Sequence, residues 1–303
     1  MQFRSIVQGA ALLALALGAC GQPGGEPAQA RGITTEKPKG PPLSDADFAR
    51  FVSWRDSQAL PALFLASDGP AEHRPGGSRM GGPVWLPEGE GWPRDAKGRP
   101  LSFLAQIDFA ELPPLEDYPT SGVLQFFIGR DDLYGADFEK PEAGTFRVIW
   151  REKLDGPGKL HLAKPQGRQG IDDYSPLRDE TVLRGARLKG TLGKQKPGID
   201  SWLFDRDLKD LLDRDPTDRI YNFFDEPDEA ATDNHHIGGH PGFTQSDFRS
   251  ANSYQDYDRV LLQLWTQDDK IMWGDSGQGQ FLIRRADLLK KDFSKVVYQW
   301  DCY

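Results

Sequence analysis

The chain has 303 residues, with 37 basic against 46 acidic side chains, a formal net charge of −9, 33 Gly, 23 Pro and two cysteines. An acidic chain without clustered Lys and Arg excludes nucleic acid as an expected partner, because such binding rests on neutralising phosphates. The same acidity means that anionic lipid does not attract the body of the protein by charge.

The first element in chain order is an export signal. Arg4 supplies a positive start, and residues 6–17 form an apolar stretch interrupted by Gln8 and Gly9. Twelve residues are too few to span a bilayer, which takes about 20. The small pair Gly18-Ala19 before Cys20 resembles the lipobox of bacterial lipoproteins. Cys20 is therefore expected to carry diacylglycerol and to become the first residue of the mature chain, with residues 1–19 removed. Ordinary secretory cleavage after Ala19, with Cys20 incidental, is the alternative. Cleavage there removes Arg4 and moves the net charge to −10. The expected place is the cell envelope, facing the periplasm or the exterior, with the membrane as a partner through the lipid on Cys20. A thioether would consume Cys20, so no intramolecular disulfide is expected, and Cys302 reads as a small packed hydrophobe.

Residues 21–42 are rich in Gly and Pro and poor in large apolar side chains, the composition of a disordered tether with a reach of roughly 25 Å. A folded body is expected over 43–303. Its first helix starts at Ser44, with Asp47 three residues on and Phe48, Phe51 and Val52 on one face. Strands are predicted over 62–65, 101–109, 123–128, 145–150, 259–265, 278–284 and 296–300, and a helix capped by Ser201 over 201–214. Residues 156–198 carry little periodicity and read as a long surface excursion. The expected class is α+β, dominated by strands, with a few flanking helices.

An internal repeat organises these elements. A shift of 157 residues lays Gly81-Gly82 on Gly238-Gly239, and Phe103-Leu104-Ala105-Gln106-Ile107 on Val260-Leu261-Leu262-Gln263-Leu264. A shift of 155 lays Leu124-Gln125-Phe126-Phe127-Ile128 on Gly279-Gln280-Phe281-Leu282-Ile283. Two related β-rich halves are expected, about 78–135 and 234–290, packed about a pseudo-two-fold axis.

Several short stretches now carry a family likeness. They are Gly81-Gly82-Pro83 with Trp85, residues 100–107, residues 122–128, Asp131-Asp132-Leu133-Tyr134, Ile237-Gly238-Gly239 with Pro241, residues 243–247, residues 272–277, Asp292-Phe293-Ser294 and Trp300-Asp301-Cys302. In this order they resemble the YwqG-like family, a bacterial domain of unknown function, over nearly all of the body. The resemblance implies a fold and no settled activity. The lipoprotein signal is a departure from the many resembling proteins that look cytoplasmic.

The residues that could carry chemistry divide into three sets. Gly274-Asp275-Ser276-Gly277 resembles the nucleophile loop of trypsin-like serine proteases over these four residues, with Gln278 in place of a second glycine and no histidine in the matching context. The run from Asp233 to His240 holds His235, His236 and His240. His236 and His240 are weak metal candidates, joined by Asp247 only if a loop gathers them, because neighbours in an extended segment point to opposite sides. No cofactor is implied. The third set is repeated by the duplication: Gln106 with Gln263 and Gln125 with Gln280.

Alternation places Phe103, Ala105 and Ile107 on one face and Gln106 on the other, so each Gln lies among apolar neighbours and needs partners for its amide. Two readings follow. The glutamines satisfy backbone where strands end and Gly-Gly turns pass, or they line a cleft between the halves, with Gln245, Asp247 and Asp275, that holds a small polar or peptide ligand. The functional expectation is a non-enzymatic envelope module that binds a protein, peptide or small polar ligand. The alternative is a hydrolase or transferase using Asp247 and Asp275 with a histidine from 235–240 as acid and base.

Overall fold

The computed structural model describes residues 40–162, 174–215, 219–224, 234–251 and 253–303. The signal segment, Cys20 and nearly all of the tether lie outside these residues. The first described element is helix α1 (Asp45–Ser57), closed at its start by the expected capping box. Ser44 Oγ accepts from the Asp47 N–H at 3.1 Å, and Asp47 Oδ2 accepts from the Ser44 N–H at 3.0 Å.

Twelve strands follow: β1 (Leu60–Pro70), β2 (Arg79–Met80), β3 (Pro83–Pro87), β4 (Ser102–Asp108), β5 (Val123–Ile128), β6 (Phe146–Arg151), β7 (Gly158–Leu162), β8 (Ala186–Gln195), β9 (His235–Gly238), β10 (Arg259–Trp265), β11 (Gln278–Ile283) and β12 (Val297–Asp301). Short helices are interspersed: α2 (Asp179–Arg184), α3 (Trp202–Asp207), α4 (Lys209–Leu212), α5 (Arg219–Phe224) and α6 (Arg285–Leu288). The strand-dominated class is as the sequence predicts. Among the described residues no helix is long and apolar enough to cross a membrane.

Ten strands form one antiparallel sheet in the order β12-β11-β10-β9-β1-β8-β2-β4-β5-β6, and β3 pairs with β7 apart from it. The sheet curls into a nearly closed barrel. At its two edges the rings of Phe146 on β6 and Tyr298 on β12 lie 5.6 Å apart. Outward from the central β1–β8 pair, the two flanks present the same registers. Arg79 lies opposite Gln106 and Gln106 opposite Gln125 on one; His236 lies opposite Gln263 and Gln263 opposite Gln280 on the other. The register breaks between Phe103 and Ala105 on β4, and between Val260 and Leu262 on β10.

That bulge corrects the expected alternation. With an extra residue in β4, Leu104, Ala105 and Ile107 join the main core, while Phe103 packs with Phe127, Val84 and Leu86 in a second cluster. Successive residues point to opposite faces, so Phe126 enters the main core and Gln125 shares the face of Phe127. Within the main core the rings of Phe126 and Phe281 meet at 4.9 Å, and 155 residues separate them. A third cluster joins α1 to α3, α4 and α5 through Phe51, Phe204, Leu211 and Ile220.

Two further readings change. Residues 156–198 are not a surface excursion: β8 lies at the centre of the sheet, and residues 163–173 are outside the described set. Gly190 and Gly193 hid the strand, and both are required by neighbouring bulk. A Cβ at Gly190 would meet Leu63 Cδ1 at 2.9 Å, and one at Gly193 would meet Phe64 Cε2 at 2.6 Å. The helix expected over 201–214 is capped by Ser201 as predicted but breaks at Leu208, where φ is −132°.

Candidate functional site

The repeated glutamines build two polar nodes, one on each flank. On the first, Gln106 and Gln125 are fully buried. Gln106 donates through Nε2 to Pro75 O and Gly77 O, both at 3.0 Å, and its Oε1 accepts from Gln125 Nε2 at 3.1 Å. Gln125 Nε2 also donates to Trp85 O at 3.1 Å. Arg79, itself buried, donates to Gly76 O, Gly77 O and Pro83 O, and burial pulls its pKa down to about 10. Arg151 closes the node from β6. Its Nε donates to Gln125 Oε1 at 2.7 Å, and Nη2 reaches Glu90 at 2.6 Å.

The second node has similar bonds to backbone but a different amide pair, since Gln263 Nε2 donates to Gln278 Oε1 at 2.7 Å. Gln263 Nε2 donates to Asn234 O at 3.3 Å, as Gln106 does to Gly77 O. Gln280 Nε2 donates to Gly242 O at 3.4 Å, as Gln125 does to Trp85 O. The Gly242 N–H returns a bond to Gln263 Oε1 at 2.8 Å. His236 stands where Arg79 stands, its ring nitrogens 3.2 Å from Asn234 O and 3.1 Å from His240 O. Burial pushes its pKa down to about 4, against the pull of the two carbonyls.

The remaining candidates do not gather with these. His235 Nδ1 accepts from the Trp265 N–H at 2.9 Å, His240 Nε2 meets Gln58 O at 2.7 Å, and burial holds both near pKa 4. Among the described residues no group of three His, Cys, Asp or Glu is placed to hold a metal ion. Asp247 is clamped by Arg249, with Oδ1 to Nε at 2.9 Å and Oδ2 to Nη2 at 2.7 Å, and also accepts from the Trp202 N–H. Asp275 is exposed on a turn whose next residue, Ser276, has φ +64°. Gln245 alone approaches the second node: its N–H donates to Asp301 Oδ2 at 3.1 Å, and its Nε2 to Cys302 O at 2.7 Å.

Sequence reasoning missed Arg79, Arg151 and Asp301. A signal was present, since Trp150-Arg151 and Trp300-Asp301 are similar dipeptides at the ends of β6 and β12. Asp301 Oδ2 accepts from the Thr244 and Gln245 N–H groups, and burial raises its pKa to about 7. Its neighbour Cys302 is buried, as expected of a small packed hydrophobe.

The family described as Domain of unknown function (DUF1963) matches residues 78–302. The chain belongs to this family. The DUF1963 region begins one residue before β2 and ends one residue after β12, so it contains the four glutamines Gln106, Gln125, Gln263 and Gln280. β1 lies outside it yet completes the sheet, pairing with β8 on one side and β9 on the other. Comparison with curated proteins gives no match.

Proposed function

We propose that this DUF1963 protein is a lipid-anchored component of the cell envelope, acting as a non-enzymatic binding module built from two duplicated halves. The observation that carries the binding reading is where the candidate acid–base groups go. His236 and His240 turn ring nitrogens to backbone carbonyls, and His235 is held between the Trp265 N–H and Gln267 Oε1. Burial disfavours the charged form of all three, Asp247 is neutralised by Arg249, and Asp275 stands on an exposed turn. A general acid and base must reach one reacting group together, and these side chains are each engaged elsewhere. The duplication is supported by the shifts of 157 and 155 residues that relate backbone bonds of one node to those of the other.

The lipid reading is supported by Arg4, the apolar stretch and Gly18-Ala19-Cys20. Cys20 and Cys302 are the only cysteines in the sequence, and the sulfur of Cys20 cannot be both a thioether and half of a disulfide. Mass spectrometry of the N-terminal peptide of the membrane-extracted protein decides the matter. A diacylglyceryl thioether on Cys20 is expected; a free N-terminus after Ala19 with Cys20 linked to Cys302 overturns the anchor. For the binding reading, the anchored protein is to be crosslinked and co-purified from its own membranes. A stoichiometric partner is expected. Recovery of none, together with turnover of a substrate by the purified domain, sinks it.

A further inference from the structure

Three buried polar atoms without a hydrogen-bond partner occur on adjoining strands of the second flank: Gln278 Nε2, Gln280 Oε1 and Asp301 Oδ1. Gln278 and Gln280 are two apart on β11 and so share a face. Asp301 on β12 is the register partner of Gln278, and its other carboxylate oxygen accepts from the Thr244 N–H at 2.8 Å. Isolated buried polar atoms without partners are uncommon and costly, and three on one sheet corner call for a common cause.

The first flank shows what stands at the same place there. Arg151 lies opposite Val123 as Asp301 lies opposite Gln278, so the two occupy equivalent registers. Arg151 caps the oxygen of Gln125 with its guanidinium, and Glu90 balances the charge. On the second flank the equivalent amide oxygen, Gln280 Oε1, lacks a donor, and a carboxylate stands in place of the cation. Among the described residues no basic side chain pairs with Asp301, whose bonds come from the backbone N–H groups of Thr244 and Gln245 and from the Thr244 side chain. The second flank therefore has the acceptors of the first and lacks its cation.

We propose that this corner binds a small monocation bearing N–H donors, of the guanidinium or primary ammonium class, with Asp301 as counter-charge and Gln280 Oε1 and Thr244 Oγ1 as acceptors. Asp301 Oδ1 has lone pairs for both the ligand and Gln278 Nε2, the one donor of the set. A buried carboxylate favours such a partner strongly, because a charge-assisted bond in a low-dielectric site replaces an uncompensated ion. Ser246 and Tyr303, each two residues along the chain from Thr244 and Asp301 respectively, are exposed, and the cation enters either free or as the side chain of a peptide. The inference rests on the binding-module reading and names the ligand chemistry at one place within it.

The test is calorimetric titration of the full mature protein with methylguanidinium, methylammonium and, separately, an acetylated peptide containing one arginine. Tetramethylammonium, which has the charge without the N–H donors, is the control. Saturable one-to-one binding is expected for at least one of the N–H cations, with tetramethylammonium ~10-fold weaker or more. Free-cation binding identifies a small-molecule source, and binding of the peptide alone identifies a side chain. Asp301→Asn is expected to weaken binding ~10-fold and Thr244→Val several-fold. Asp301→Arg is expected to abolish it, because the introduced guanidinium takes the place that Arg151 holds on the first flank. Thermal unfolding verifies that each variant is folded, and Thr244→Val serves if the Asp301 variants are not. The proposal falls if no N–H cation saturates, if tetramethylammonium binds equally, or if the folded variants bind unchanged. Loss of cation binding with partner capture intact sinks this site and leaves the binding module standing.

Discussion

Arg79 and His236 address the backbone in the same way from opposite flanks of the sheet: each turns to the carbonyl two residues before it and to the carbonyl four residues after it. Both side chains are buried and follow the same geometry, although one is a permanent cation and the other a neutral ring. Each fixes the turn that carries a Gly-Gly pair, Gly81-Gly82 or Gly238-Gly239, all four at positive φ. Arg79→Met removes the donor of the Gly76 and Pro83 carbonyls, while Gly77 O keeps its bond from Gln106. It is expected to cost about 3 kcal/mol or more, read as a fall in the urea midpoint. A midpoint within error of the parent would show that the carbonyls find other donors.

Acidification is expected to destabilise the fold well above the ordinary carboxylate range. His235, His236 and His240 are each held near pKa 4 against an ordinary 6.5. Between those values the unfolded chain binds protons that the folded protein refuses, so stability falls as pH drops. Asp301 works in the opposite sense. Raised to about 7 from 3.8, it takes up its proton in the folded state first and gains stability over much of the same window. Three groups against one leave a loss of about 2 to 3 kcal/mol per pH unit at most. Urea midpoints between pH 7 and pH 5 are expected to fall, and more steeply in Asp301→Asn. A flat profile would contradict the burial of the three imidazoles.

The two glycines Gly239 and Gly89 both have positive φ, but only one is crowded. A Cβ at Gly239 would meet Gln195 Oε1 at 2.1 Å, whereas one at Gly89 meets nothing within 4 Å. Gly89→Ala is expected to cost about 1 kcal/mol for its backbone conformation alone, and Gly239→Ala about 3 kcal/mol. Equal effects of the two substitutions would refute the crowding argument.

Phe126 and Phe281 join the two flanks through the main core. Truncating either to Ala is expected to cost about 3 to 5 kcal/mol. Because the rings touch, the double variant is expected to cost less than the two losses added, by about 1 kcal/mol. A double-mutant cycle on denaturant unfolding measures this, and strict additivity would argue that the rings do not support one another.

The sequence alone determined what depends on local pattern. Val123–Ile128 and Arg259–Trp265 were predicted to the residue, because alternating or continuous apolar runs bounded by turn residues leave few alternatives. The Ser44 capping box was legible for the same reason, and so were the paired glutamines, which the repeat picks out. Tertiary structure decided everything that depends on a neighbour distant in the chain. β8 became a central strand although its glycines argue against one, since Leu63 and Phe64 fill the space their side chains would take. A bulge, invisible in the pattern of β4, moved Phe103 to the other face. The partners of Gln106, Gln125, Gln263 and Gln280 are mostly backbone atoms of turns remote in sequence, and no periodicity announces a carbonyl. The contrast between Arg151 and Asp301 acquired meaning only when the sheet set them at equivalent registers, where the charge one supplies is the charge the other lacks.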